Sequence, residues 1–223
     1  MDSGAYGAGA VSFGYTNNAY GAVAFSAGNL NISNGTATVT LGANNRFHTV
    51  SNYSVMIGRN NSSSTQSEQN FMFGVANAIT KQGNSEAMML GNGNIIQSNS
   101  SGRYYYFLGR DNKVNAGNNL NTVILGQGNN IDASVTNVDI IGRRNQVSNT
   151  TEDTILIGVG NTVSDTAGGA RSSYAVGINN TFNNNGNMKN SNGSVRNLYM
   201  SAFGHYNTIG SQAGMALGAD NNV

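Results

Sequence analysis

Two histidines, His48 and His205, are the only side chains whose ordinary titration lies near neutral pH. A Ser-His-Asp hydrolase needs all three groups within hydrogen-bond reach. Each histidine stands singly, many repeats from the other, so no triad follows and solvent-facing or loop positions are expected for both. The acids Glu68, Glu86, Asp111, Asp132, Glu152, Asp153 and Asp165 are scattered through turn-like stretches. Asp132 with Glu152 or Asp153 is the grouping that adjacent coils could pair, as a glycosidase or lyase acting on polysaccharide requires. Turn formation is the commoner duty of such residues. The chain is expected not to be an enzyme.

Metal and cofactor chemistry fare no better. The chain contains no cysteine, which removes disulfides, thiolate metal sites and cysteine nucleophiles together. The calcium-binding GGxGxD pattern is missing, since Gly168-Gly169 is followed by Ala170-Arg171. No metal and no cofactor are expected. Only Thr36, Thr38 and Thr40 form a T-x-T run, too little for an ice-binding array, and the Asn-x-Ser/Thr triplets at Asn52 and Asn149 are what this composition produces by chance. Arg59, Arg110 and Arg143 form a sparse basic line. With 9% charged residues and a formal charge of +1, nothing suggests a nucleic-acid partner.

What must position these residues is a repeat. Nearly one phrase recurs as NTVILGQGNNI (121–131), VDIIGRRNQV (138–147) and DTILIGVGNTV (153–163). Its glycine falls at 14, 42, 58, 74, 91, 109, 126, 142, 158, 177, 204 and 218, with Ser26 standing in for it in the second unit. Most steps are 16 to 18 residues, and one, from Gly177 to Gly204, is 27. An asparagine follows each glycine by three, an apolar residue always stands one before it, and apolar residues predominate three before it, with Asp139 and Ser201 departing, and five after it. Spacing of two on both sides of a Gly corner reads as two short strands. Units this short fit single coils of a parallel β-solenoid, about thirteen of them in one domain spanning 1–223, with an insertion at about 183–198. No proline interrupts the ladders. The glycine supplies positive φ at the corner, and the asparagines are expected to stack as a ladder through the turns.

Counting inward from residues one and three before the glycine leaves the position between them outward. That position reads Met56, Met72, Met89, Phe107, Ile124, Ile140 and Leu156 in successive units, large and apolar throughout. The second strand's outward position is mostly polar. One wall is therefore dry, and a lone chain would expose an apolar stripe larger than soluble monomers tolerate. These seven residues are expected to bury it against copies of the same chain around a symmetry axis. The same register turns Asp139 inward, to be paired with Arg143 or Arg144.

The phrases SVMIGRNN (54–61), TVILGQGNN (122–130), TILIGVGN (154–161) and MALGADNNV (215–223) resemble the SVAIG-type repeat of YadA-like heads, the tips of trimeric autotransporter adhesins. The resemblance covers almost the whole chain. It implies a left-handed parallel β-roll, a homotrimer joined through the SVAIG strand, and a non-catalytic head displayed on a Gram-negative outer membrane. The Asn-rich, Lys-poor style is similar to heads of adhesins that bind carcinoembryonic-antigen-related cell adhesion molecules (CEACAMs). A receptor of that kind, or a matrix protein, is the implied partner. The units here are longer than the tightest family members, and Asn replaces the family's small residues after the glycine. The start, MDSGAYGAGA, has no signal-peptide pattern. The end falls inside a phrase, so membrane attachment is expected only through an anchor in a longer parent.

On such a scaffold, recognition belongs to variable loops. QSNSSGRYYY (97–106) carries residue types favoured at interface hot spots. With Tyr106 assigned inward, Arg103 and Tyr105 become the candidate contacts. In the longest step, Lys189, Arg196 and Tyr199 are the candidates. A polar stretch at 62–70 reads as spacer. The alternatives to an adhesin head are a passive self-associating spacer and, behind it, a solenoid enzyme acting on polysaccharide.

Overall fold

The computed structural model describes residues 3–48, 51–64, 68–80, 86–97, 104–115, 121–132, 134–148, 151–164, 170–183, 199–210 and 213–223. They form a parallel β-solenoid of about ten turns with no helix among the described residues. The chain divides into two compact units, Met1–Asp111 and Asn112–Val223.

Each unit is built the same way. Long strands pair in parallel with the corresponding strands of neighbouring coils, from Val11–Tyr15 to Tyr104–Arg110 in the first unit and from Asn121–Gln127 to Ala213–Ala219 in the second. Two-residue strands make a second parallel sheet, from Gly4–Ala5 to Ile95–Ile96 and from Lys113–Val114 to Thr208–Ile209. The glycines lie in register, Gly42 on Gly58 and Gly126 on Gly142. The register gives the second repeat a glycine after all. Gly14 pairs with Gly28, so Gly28 and Asn31 occupy the places expected for Ser26 and Asn29. Ser26 is buried instead and accepts the Thr40 hydroxyl at 3.0 Å.

The Gly-x-x-Asn corner explains its own residues. Gly126 has φ +139°, and a Cβ built there would lie 1.8 Å from the carbonyl oxygen of Gly142 in the next coil. No side chain fits, whatever the backbone strain. Two residues on, the chain enters the left-handed region again, at Ala76 (φ 57°), Gly128 (φ 63°) and Arg144 (φ 57°), for example. The asparagine that follows is fully buried and spans three coils. The Asn129 amide donates at 3.0 Å both to Oδ1 of Asn112 behind it and to the Gly142 carbonyl ahead. Its own Oδ1 accepts the backbone and side-chain N–H groups of Asn145, each at 3.0 Å. The expected ladder therefore exists, with Asn as the only residue type that offers donor and acceptor at this reach.

The core overturns the expected facing of the long strand. Met56, Met72, Met89, Ile124, Ile140 and Leu156 are wholly buried within a single chain, and Phe107 nearly so. They point into the solenoid together with Phe47, Ile79, Ile96, Val114, Ile131, Val147, Val163 and Phe182 from the short strands. The reason lies at the corner. Alternation holds only along extended backbone, and two positive-φ residues in three reverse its phase. Residues three and five after the glycine face in, but before it the inward positions are two and four, not one and three. In some coils a large residue stands beside a small one, as with Ala175 and Phe182 or Met56 and Ser63, and in others both are large, as with Ile124 and Ile131. Such pairing keeps the interior filled.

Asp139 moves outward by the same reversal. It is exposed and has no ion-pair partner among the described residues, where the ion pair present joins the neighbours Arg110 and Asp111 at 3.3 Å.

Candidate interaction surface

With the phase corrected, the residues expected to fill the core stand on the outside of the long-strand sheet. One column lies one residue before the glycine. In the first unit it includes Leu41, Ile57, Phe73, Leu90 and Leu108, and in the second Leu125, Ile141, Ile157, Val176 and Phe203. A parallel column lies three before it, with Val39, Val55, Phe71, Met88 and Tyr106 in the first unit and Val123, Asp139, Ile155 and Tyr174 in the second. Asp139 is the one charged member of either column.

Neighbouring coils cover most of some of these side chains, such as Leu41, Ile57, Leu90 and Val123, and about half to two thirds of others. Phe73 is 36% exposed, Ile141 46% and Leu108 53%. In the first unit, seven strands make this face roughly 30 Å long at the usual interstrand spacing. Apart from Asp139, its charge lies at the borders. Arg59, Arg110 and Arg143 directly follow the corner glycine, and Glu86 and Asp153 stand five before it. An apolar centre with a charged rim is the composition of a protein–protein interface.

Several expected residues lie elsewhere. The seven assigned to contact between copies, Met56 to Leu156, are core residues. Tyr105 is fully buried and meets Phe107 edge-on at 6.5 Å between ring centroids, so it holds the interior together rather than touching a partner. Its neighbours Tyr104 and Tyr106 point outward, as the reversed phase requires. Tyr199 is 56% exposed, at the start of the strand Tyr199–His205. Arg103, Lys189 and Arg196 lie outside the described residues.

Among the described residues the ionisable groups are not brought into a common site. His48 and His205 are both exposed. Asp132 follows the short strand Asn130–Ile131 and accepts from the side chains of Asn115 and Asn130. Asp153 lies in the long strand Thr151–Val159 and takes the Asn137 amide at 2.7 Å. Each carboxylate is engaged with amides nearby. No grouping of three or more metal-binding side chains occurs among the described residues.

No family model, curated protein or solved structure matches this chain. The surface is therefore read on its own chemistry.

Proposed function

We propose that the chain is a non-catalytic adhesin head: a left-handed roll carrying thirteen Gly-x-x-Asn phrases, assembled as a homotrimer and displayed on a bacterial outer surface by a longer parent protein. The observation that carries this reading is the outward face of the long-strand sheet. Two adjoining columns of Leu, Ile, Val, Phe and Tyr stand in solvent within a single chain. Covering them with the same face of other copies removes that surface from water and leaves the charged borders wet. In this reading the contacts between copies are Leu125, Ile141, Ile157 and their equivalents. The resemblance of the phrases to YadA-like heads supplies the trimer and the surface location. A scaffold so regular leaves recognition of a host receptor, of CEACAM type or a matrix protein, to its less regular stretches, with Tyr199 the exposed candidate among the described residues.

Sedimentation analysis of the purified chain at micromolar concentration tests the assembly. A mass of three chains supports it, and a monomer overturns it. Binding of the assembled protein to immobilised cell-adhesion receptors and collagens then separates an adhesin from a passive spacer, which would bind none of them.

A further inference from the structure

The charges on the outward face of the long-strand sheet are sorted by sign. Five and three residues before the corner glycine they are Glu86, Asp139 and Asp153, all acids. One residue after the glycine they are Arg59, Arg110 and Arg143, all bases. The polarity holds in each unit by itself, with Glu86 opposite Arg59 and Arg110 in the first and Asp139 and Asp153 opposite Arg143 in the second.

In the second unit two of these charges share a strand. Asp139 and Arg143 both lie in Val135–Arg143 and both are exposed. Four residues of extended chain hold their Cα atoms about 13 Å apart, with Ile141 between them on the same face. Neither belongs to an ion pair among the described residues. The strand neighbours of Asp139 in its own column are Val123 and Ile155, which offer it nothing polar. In a single chain water serves the carboxylate. Under another copy it loses that water and needs a cation in contact.

A closed ring of copies brings that cation. Rotation about an axis running along the stack of coils leaves every residue at its own height. It turns the acidic border of one face towards the basic border of the next. Because Asp139 and Arg143 lie on one strand, they arrive at one level with no slide between copies. A two-fold axis along the strands would instead reverse the order of coils and set acid on acid and base on base, which is costly.

We propose that Asp139 of one copy pairs with Arg143 of the next, an ion pair between copies that fixes their common direction and their coil-for-coil register. The pair rests on the assembly proposed above and adds what holds the copies in step. The apolar columns are so alike from coil to coil that copies one coil out of register would still cover them. Slid by one coil, however, Asp139 would meet Gln127 or Val159 in place of Arg143. One polar pair in an apolar contact is enough to select a register.

The test is a charge-reversal cycle on the full chain, read by sedimentation over a dilution series. Asp139→Arg and Arg143→Asp each bring like charges together, and each should raise the concentration at which copies separate by at least about tenfold. The variant with both reversals restores opposite charges across the contact and should return to within about threefold of the unmodified chain. Circular dichroism should be unchanged in all three, because both side chains lie outside the core. If a reversal disturbs the coil, Asp139→Asn and Arg143→Gln repeat the cycle with neutral groups, and the double variant should then lose no more than either single one. Losses that simply add, or a reversal that leaves assembly unchanged or strengthens it, would overturn the pair. An unmodified chain that is monomeric removes the pair together with the assembly, whereas additive losses in an assembled chain remove the pair alone.

Discussion

The side-chain amide of Asn129 donates at 3.0 Å to the carbonyl oxygen of Gly142, in the next coil. That oxygen is also the atom that leaves no space for a Cβ on Gly126. Glycine and asparagine in Gly-x-x-Asn are therefore parts of one device. The glycine lets the next coil's carbonyl approach, and the asparagine of the same coil caps it.

Gly126→Ala should be severely destabilising. The added methyl would meet backbone at 1.8 Å, which no rotamer relieves, and the φ of +139° adds strain. A loss of more than about 3 kcal/mol is expected from the two together. Gly218→Ala is the control, because its nearest neighbour would be Asn221 Nδ2 at 3.6 Å. Only the backbone term, on the order of 1–2 kcal/mol, remains there. Chemical denaturation of both variants checks the difference, and equal losses would refute the steric account.

Asn145→Ala removes an amide that is hydrogen-bonded to Asn129, to Gly158 and to Asn161. Several buried groups lose partners at once, each costing about 1–3 kcal/mol. Hydrogen exchange should show lost protection at the backbone amide of Asn161, whose N–H donates to the missing oxygen, while the Asn145 N–H keeps its acceptor on Asn129. Loss confined to the mutated coil would contradict a ladder that ties neighbours together.

Arg144→Gly should stabilise. Arg144 holds φ 57°, which costs an L-residue roughly 1–2 kcal/mol, while glycine's greater freedom in the unfolded chain returns part of the gain. A net increase of about 0.5–1 kcal/mol is expected. Gly128 and Gly160, at the equivalent place, already have glycine. A lower melting temperature for the variant would sink the idea.

Ile124→Asp and Ile141→Asp should part company. Ile124 is fully buried inside one chain, so a carboxylate there is unpaired and the coil unfolds. Ile141, 46% exposed, should tolerate the change with its circular dichroism intact and lose self-association instead. If Ile124→Asp dissociates the assembly while remaining folded, the facing described here is wrong.

That last pair marks where the sequence was legible. Period, glycine register, asparagine ladder and the inward residues five after the glycine all follow from spacing alone. The facing of the long strand did not, because both of its sides are apolar and hydropathy cannot choose between them. The signal that could have chosen is Asp139. A carboxylate in a column otherwise mostly of Val, Phe, Tyr and Met is cheap in solvent and costly in a core, so that column belongs outside. Tyr105 was misplaced by the same phase error. The Ser26 assignment failed differently, because the first two steps between glycines, from 14 to 28 and from 28 to 42, are shorter than the 16 to 18 residues of most later steps.

The uniformity of the corner has an implication for how such a chain can change in length. Within each unit an interior Gly-x-x-Asn meets another Gly-x-x-Asn above and below it, so the joint between coils does not encode which coil comes next. Excision of one whole period, such as residues 127–142, brings Gly126 onto Gly158 with donor and acceptor still matched. Only the sizes in the two inward columns must be reconciled across the new seam. Whole periods are thus the natural unit of gain and loss for this fold, and any stretch cut out of step with the glycines would leave buried amides without partners.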